Sequence, residues 1–312
     1  MIIALISDFK NSIKSPDTEE KIDLFIYRPL GFLIAKVANV LKMTPTMLSI
    51  LGLVCGIMAS FYYWDFTNVT ALMWGSIYFL LSGIFDSSDG QLARISNQST
   101  KWGLILDGIC DSLVIIAIYI SCSWPYLKSY GAIYSIIVVA ALYMHSYQCA
   151  ILDFYHREYL YFGYGKIDND TYWNPSLDDG NVAVERSTNR VDKILNYLRL
   201  TWIKKQQFLT TRTDVERKKM RQYLLNANDT QKSMFMQKYK EKNLWLLPYW
   251  RLIGVNAHTI LIIGFMYLRR FDLYLLAFDI IIFNLIIFIV GNLQRKSDHA
   301  FMRELNDSWQ ID

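Results

Sequence analysis

The chain has 312 residues, 53% of them hydrophobic and 15% aromatic, and its apolar residues come in long blocks instead of an even scatter. A net charge of +4, with no basic arm or recognition module, excludes nucleic acid as the partner and suits an anionic lipid surface better. The composition is that of a multispanning membrane protein.

In chain order, residues 1–7 are too short and too weakly basic for a cleavable signal, and an acid follows at Asp8, so the chain is expected to enter the bilayer by its own spans. Residues 23–41 mix Leu24, Phe25, Leu30, Phe32, Leu33, Val37 and Val40 with Arg28 and Lys36, the pattern of an amphipathic helix lying in the interface or packed on a soluble segment. Thr44 is a fitting N-cap and Pro45 a fitting first helical residue for the span that follows. Gly52 and Gly56, four apart, share a face that would admit a neighbouring helix.

Windows of about 20 residues predict six spans, at 47–64, 71–85, 104–124, 132–152, 245–268 and 273–293. A polar insertion at 153–243 separates the fourth from the fifth. Its first part, 163–189, reads as loop from its Gly, Pro, Asn and Asp clusters, and its later part as helices over 191–209, 214–226 and 229–242. A solvated helical hairpin and a membrane-surface lid both fit that pattern. The resulting organisation is an N-terminal segment with its interfacial helix (1–45), four spans (46–152), a mainly helical cytosolic insertion (153–243), two spans (244–293) and a tail (294–312).

Arg28, Lys36, Lys42, Arg94, Lys101, Arg295 and Lys296 fall on one side of these spans, against Lys128, Arg269 and Arg270 on the other. This asymmetry puts both termini on the cytosolic side. Cys55, Cys110, Cys122 and Cys149 lie in apolar runs without CxxC spacing and read as core residues. The four histidines form no HExxH pair.

The chemistry concentrates at the cytosolic end of the second and third spans. Asp86-Ser87-Ser88-Asp89-Gly90-Gln91-Leu92-Ala93-Arg94 is followed, after eight residues, by Gly103, Asp107 and Asp111. Helical steps of three, four and seven put Asp86, Asp89, Gly90 and Ala93 on one stripe, and Gly103, Asp107 and Asp111 share another. A tight turn around 96–101 makes the two spans antiparallel, so the stripes can face each other.

An ionised side chain at bilayer depth costs a few kcal/mol or more, so four converging carboxylates imply a compensating cation. Hard oxygen donors select Mg²⁺ or Mn²⁺ over zinc. Gly90 and Gly103 clear space for a substrate or helix, and Arg94 offers a fork suited to phosphate. An acidic ion pathway in a cation or proton transporter would also gather acids inside a bundle.

The pattern DxxDGxxAR, eight residues, then GxxxDxxxD resembles the signature of the CDP-alcohol phosphotransferase (CDP-alcohol phosphatidyltransferase) family, with all eight defining positions present. The likeness extends to the six spans, to the helix containing Arg28-Pro29-Leu30 and to the Thr-Pro start of the first span. Thr46 stands where members often have Asn, and the insertion is unlike compact members, so no family role passes to either.

The resemblance implies an all-α integral membrane enzyme that moves a phosphate-linked group from a CDP-activated donor to an alcohol and releases CMP. It makes Asp86, Asp89, Asp107 and Asp111 metal ligands for Mg²⁺ or Mn²⁺, with Asp111 also the catalytic base. Gly90, Ala93, Arg94 and Gly103 would line the CDP moiety. Six spans resemble the members that use CDP-diacylglycerol and a small polar alcohol, with an inositol-type acceptor favoured. CDP-choline or CDP-ethanolamine donors with a diacyl lipid acceptor are the alternative. The resemblance also allows a homodimer, although no stripe in the sequence marks a dimer face.

Overall fold

The computed structural model describes residues 8–9, 12–13, 15, 17–98, 100–166, 174–208 and 210–309; residues 1–7, Ser99, Leu209 and 167–173, which parts of the sequence reading include, lie outside these. All regular elements among the described residues are helical. Six helices are long and apolar enough to cross a membrane: Pro45–Tyr63, Val69–Ser96, Trp102–Tyr130, Ala132–Gly163, Asp229–Tyr267 and Phe271–Leu305. They coincide with the six predicted windows, and the chain is an integral multi-pass membrane protein.

The helices outrun the apolar windows because each added residue adds a hydrogen bond once a helix is nucleated, whatever its polarity. The span read as 71–85 therefore continues through the acidic motif to Ser96. The fifth span is interrupted: after Asp229–Asn243 come a 3₁₀ turn and a short helix, Leu247–Trp250, and Gly254 is extended (ψ 167°) before the helix resumes at Val255.

The chain divides into two compact units, Met1–Met144 with Val255–Ile281, and His145–Gly254 with Ile282–Asp312. In the first, a π-helical turn over Asp23–Tyr27 leads into α1 (Arg28–Val40). Helix α1 buries Gly31, Phe32, Ala35 and Ala38 and turns Leu33, Val37 and Val40 outward, the one-faced pattern of an amphipathic helix. Then come α2 (Pro45–Tyr63), α3 (Val69–Ser96), α4 (Lys101–Tyr130) and the start of α5 (Ala132–Glu158).

Thr44 caps α2 by accepting from the Met47 N–H, with Pro45 at the first position, as expected. Asn97, at φ 53°, ends α3 in the left-handed conformation Asn tolerates, and Thr100 then caps α4. Gly52 and Gly56 let α2 approach both α3 and α4. A Cβ on Gly52 would sit 3.3 Å from the Ser82 carbonyl of α3, and one on Gly56 would sit 2.4 Å from Val114 of α4.

The second unit contains the insertion: α6 (Leu177–Glu185), α7 (Arg190–Phe208), α8 (Asp214–Asn226) and α9 (Asp229–Asn243). The reading of 163–189 as loop missed α6, which a Ser176/Asp179 capping box nucleates within the Asn- and Asp-rich stretch. The remaining described helices, α10 (Val255–Tyr267) in the first unit and α11 (Phe283–Trp309) in the second, complete the longer elements.

The insertion is no free-standing hairpin. Met220, Leu224, Phe235 and Tyr239 share one core with Tyr159 and Phe162, and with Phe301 of α11. Arg217 donates from Nε to Glu158 (3.0 Å) and from Nη2 to the Asn174 carbonyl (2.6 Å), and Arg212 pairs with Asp298 at 2.5 Å beneath the Tyr239 ring. These charges are buried and paired, the condition under which burial is tolerated.

Candidate active site

The acidic motif lies in about the last three turns of α3 and about the first three turns of α4. Each of Asp86, Asp89 and Asp107 contributes one carboxylate oxygen to a group in which all three lie within 4.8 Å of one another. Asp89 is buried, Asp107 half-buried and Asp86 exposed, so the group grades from the helix packing outward. Ser49 of α2 donates to Asp89 Oδ2 at 2.5 Å and holds that carboxylate in place.

Asp111, one helical turn beyond Asp107, is exposed and outside that group of three, yet near enough for the charges of Asp86 and Asp107 to act on it. Three ionised carboxylates at such separations repel one another, and a cation among them would relieve that repulsion. Oxygen-only donors in this number fit Mg²⁺ or Mn²⁺, which take carboxylates alongside substrate phosphates and water.

The other motif residues flank this group. Gly90 faces the guanidinium of Arg94, one turn along: a Cβ there would lie 3.5 Å from Arg94 Nη1. Arg94 donates from Nε to the Ser12 carbonyl at 2.6 Å, and Ala93 beside it is half-buried. Gly103 lies in the first turn of α4, where its N–H donates to Thr100 Oγ1 at 3.0 Å. A Cβ on Gly103 would press on that same oxygen at 3.1 Å, so the glycine serves the helix start as well as the open face.

Several residues that frame the motif escaped the sequence reading. Gln91 is fully buried and donates to Ser12 Oγ (3.0 Å) and to the Arg28 carbonyl (3.1 Å), which ties α3 to the N-terminal segment. Arg28 in turn donates to Ser87 at 3.2 Å and pairs with the buried Glu19 at 2.9 Å. A Cβ on Gly31 would lie 2.6 Å from Gln91 Oε1, so α1 rests directly on the motif helix.

Tyr27 packs over Gly83, and its phenol is pushed up to about 12 by burial first and then by the charges of Asp23, Asp86 and Glu20. The available signal for Ser49 was a hydroxyl one turn into an apolar span. A second buried polar chain, Asp279–Tyr119–Tyr274–His258, has steps of 2.8, 2.9 and 2.7 Å; Asp279 had passed unread inside an apolar run.

Comparison with known proteins bears on this geometry. A phosphatidylinositol phosphate synthase of Corynebacterium glutamicum is 31% identical over 101 residues, which cover 32% of this chain and 44% of that protein. The human CDP-diacylglycerol–inositol 3-phosphatidyltransferase is 28% identical over 115 residues, 36% of this chain and 52% of that protein. A Mycobacterium tuberculosis protein named for cardiolipin synthesis is 34% identical over 74 residues, 24% of this chain and 34% of that protein. The chain thus spans about half or less of the length of these curated relatives. No solved structure matches it. The family model for CDP-alcohol phosphatidyltransferase matches residues 42–165, which include every residue of the acidic motif, and this part of the chain is a CDP-alcohol phosphatidyltransferase domain.

Proposed function

We propose that the protein transfers a phosphatidyl group from CDP-diacylglycerol to a small polar alcohol and releases CMP, with Mg²⁺ or Mn²⁺ as cofactor and the reaction on the cytosolic face. The observation that carries this reading is the convergence of Asp86, Asp89 and Asp107 within a domain of this family. Those three carboxylates, with Asp111 adjoining, would hold the cation. When bound, the cation neutralises charge on the donor pyrophosphate and helps CMP depart.

The protein's own residues supply the rest. Asp111, exposed beside the carboxylate group, takes the proton of the acceptor hydroxyl as its oxygen bonds to the phosphatidyl phosphorus and the bond to CMP breaks. Ser49 keeps Asp89 oriented. Arg94, freed along one side by Gly90, binds a phosphate of the CDP portion, and Ala93 and Gly103 leave room beside it.

The relatives named for inositol and inositol phosphate transfer support an inositol-type acceptor, while the one named for cardiolipin widens the class to other alcohols. The cytosolic placement rests on the asymmetry of Lys and Arg between the two sides of the spans. A homodimer is part of the same proposal and rests on family resemblance alone.

The test is CMP release by the purified full chain given CDP-diacylglycerol, Mn²⁺ or Mg²⁺, and one alcohol at a time: inositol, inositol phosphate, glycerol phosphate, serine. Release that requires one alcohol and the metal identifies the acceptor. Release only from CDP-choline or CDP-ethanolamine with diacylglycerol would reverse donor and acceptor. No release from any pair, with cation flux into vesicles, would replace the enzyme reading by transport.

A further inference from the structure

Helix α7 of the insertion carries an apolar stripe that faces away from the protein. On its inner side, Leu200 and Ile203 are buried under Gly180 of α6, and Asn196 donates to the Ala183 carbonyl at 3.1 Å. On its outer side Val191, Ile194, Tyr197 and Phe208 are 64%, 62%, 59% and 76% exposed, with Leu198 between them. Spacings of three, four and seven make Val191, Ile194, Tyr197 and Leu198 one stripe along the first half of the helix, and Phe208 stands at the helix end. Exposed Arg190, Lys193 and Lys204 border it.

The depth of α7 is fixed by what it touches. Lys205 donates to Ser146 of α5, Gln206 donates to Asp153 of α5 at 3.0 Å, and the rings of Phe208 and Tyr147 meet edge to face at 6.0 Å. Helix α5 belongs to the membrane span that begins at Ala132. About 20 residues cross the hydrocarbon layer, so Ser146 to Asp153 occupy the last turns before that span leaves the bilayer. A helix bound there lies at the level of the lipid headgroups.

We propose that α7 is a membrane-contact helix, whose Val191, Ile194 and Leu198 face beds into an anionic leaflet while Arg190, Lys193 and Lys204 pair with lipid phosphates. Three features select lipid over a protein partner. The helix that carries the stripe is held to a bilayer span by the Tyr147–Phe208 contact at its end. Basic residues border it, as the charge of an anionic leaflet requires. Tyr197 and Trp202 supply the amphipathic aromatics typical of the membrane boundary. The proposal rests on the spans alone and stands whether or not the enzyme reading does.

The test uses the full-length protein in vesicles of phosphatidylcholine with phosphatidylglycerol, carrying photoreactive benzoylphenylalanine at position 194 or 198. Illumination is expected to give phospholipid adducts at both positions. Changing Lys193→Glu together with Lys204→Glu, at exposed sites that leave melting in detergent unchanged, should reduce the adducts several-fold. Adducts confined to a second copy of the chain or to another protein would overturn the proposal. So would an absence of lipid adducts at both positions, or adducts indifferent to the charge reversal.

Discussion

One charge cluster in each unit shows two opposite arrangements. At the junction of α3 and α4 three like charges converge within 4.8 Å, and the hydrogen bond that holds Asp89 comes from a neutral hydroxyl. In the second unit opposite charges alternate, Glu158 with Arg217 and Asp298 with Arg212, and the two arginines donate further to the Asn174 carbonyl and to the Tyr239 phenol oxygen. The second arrangement pairs its charges within the fold. The first gathers like charge, the arrangement that the proposed cation site requires.

That contrast can be broken by substitution, and the largest effect is expected at the site. Asp111→Asn should lower CMP release by about 10² to 10⁴ while donor binding persists; loss of both together would make Asp111 a metal ligand first. Folding should be preserved in Asp86→Asn and Asp107→Asn, since each relieves repulsion among like charges, and a rise in thermal stability with loss of activity would be the signature of a site.

The reverse holds in the other unit. Arg217→Met removes one partner of a pair in which both side chains are almost wholly buried, and should cost about 3–5 kcal/mol in denaturant unfolding. A change under about 1 kcal/mol would place that pair with surface pairs and erase the contrast. Gly56→Ala drives a methyl into Val114 and is expected to cost about 1–3 kcal/mol, with activity falling as α2 and α4 are forced apart.

Ser49→Ala takes the hydroxyl from Asp89 and should weaken Mn²⁺ retention by about tenfold, the effect of a hydrogen bond to a charged group worth about 1.5 kcal/mol. The smallest effect belongs to Lys242→Ala, whose pair with Glu304 is 32% and 42% exposed on its two sides. It should move stability by less than about 1 kcal/mol, and a larger shift would mean that surface charge contributes more to the second unit than its geometry suggests.

What could be read in advance follows from the range over which each signal acts. Local chemistry was legible: hydrophobic length gave the spans, Thr44 and Pro45 gave the start of α2, and the bounds of α8 and α9 follow capping boxes at Thr213/Glu216 and Asn228/Gln231. The α6 helix has the same kind of box at Ser176/Asp179, hidden by the turn-forming residues around it. The aspartates were legible because helical spacing converts directly into a shared face.

Partners distant in the chain were not legible. Ser49 meets Asp89 across 40 positions and Arg212 meets Asp298 across 86, and no periodicity encodes such pairings. Asp279 went unread because a single acid in a long apolar run changes a hydropathy window little, although its bond to Tyr119 makes it a fixed part of the first unit. The interruption at Gly254 was equally invisible, since an extended glycine leaves the hydrophobic sum of the fifth span unchanged.

If the α3 and α4 carboxylates are a cation site, they bind a divalent ion in the absence of substrate. Titration of the purified chain with Mn²⁺, followed by the loss of the free-ion paramagnetic resonance signal, tests it without any substrate. Saturable binding that disappears in a protein carrying Asp86→Asn, Asp89→Asn and Asp107→Asn, and survives in Arg217→Met, is the predicted result. Equal Mn²⁺ uptake by the triple variant and the unaltered protein would contradict the account.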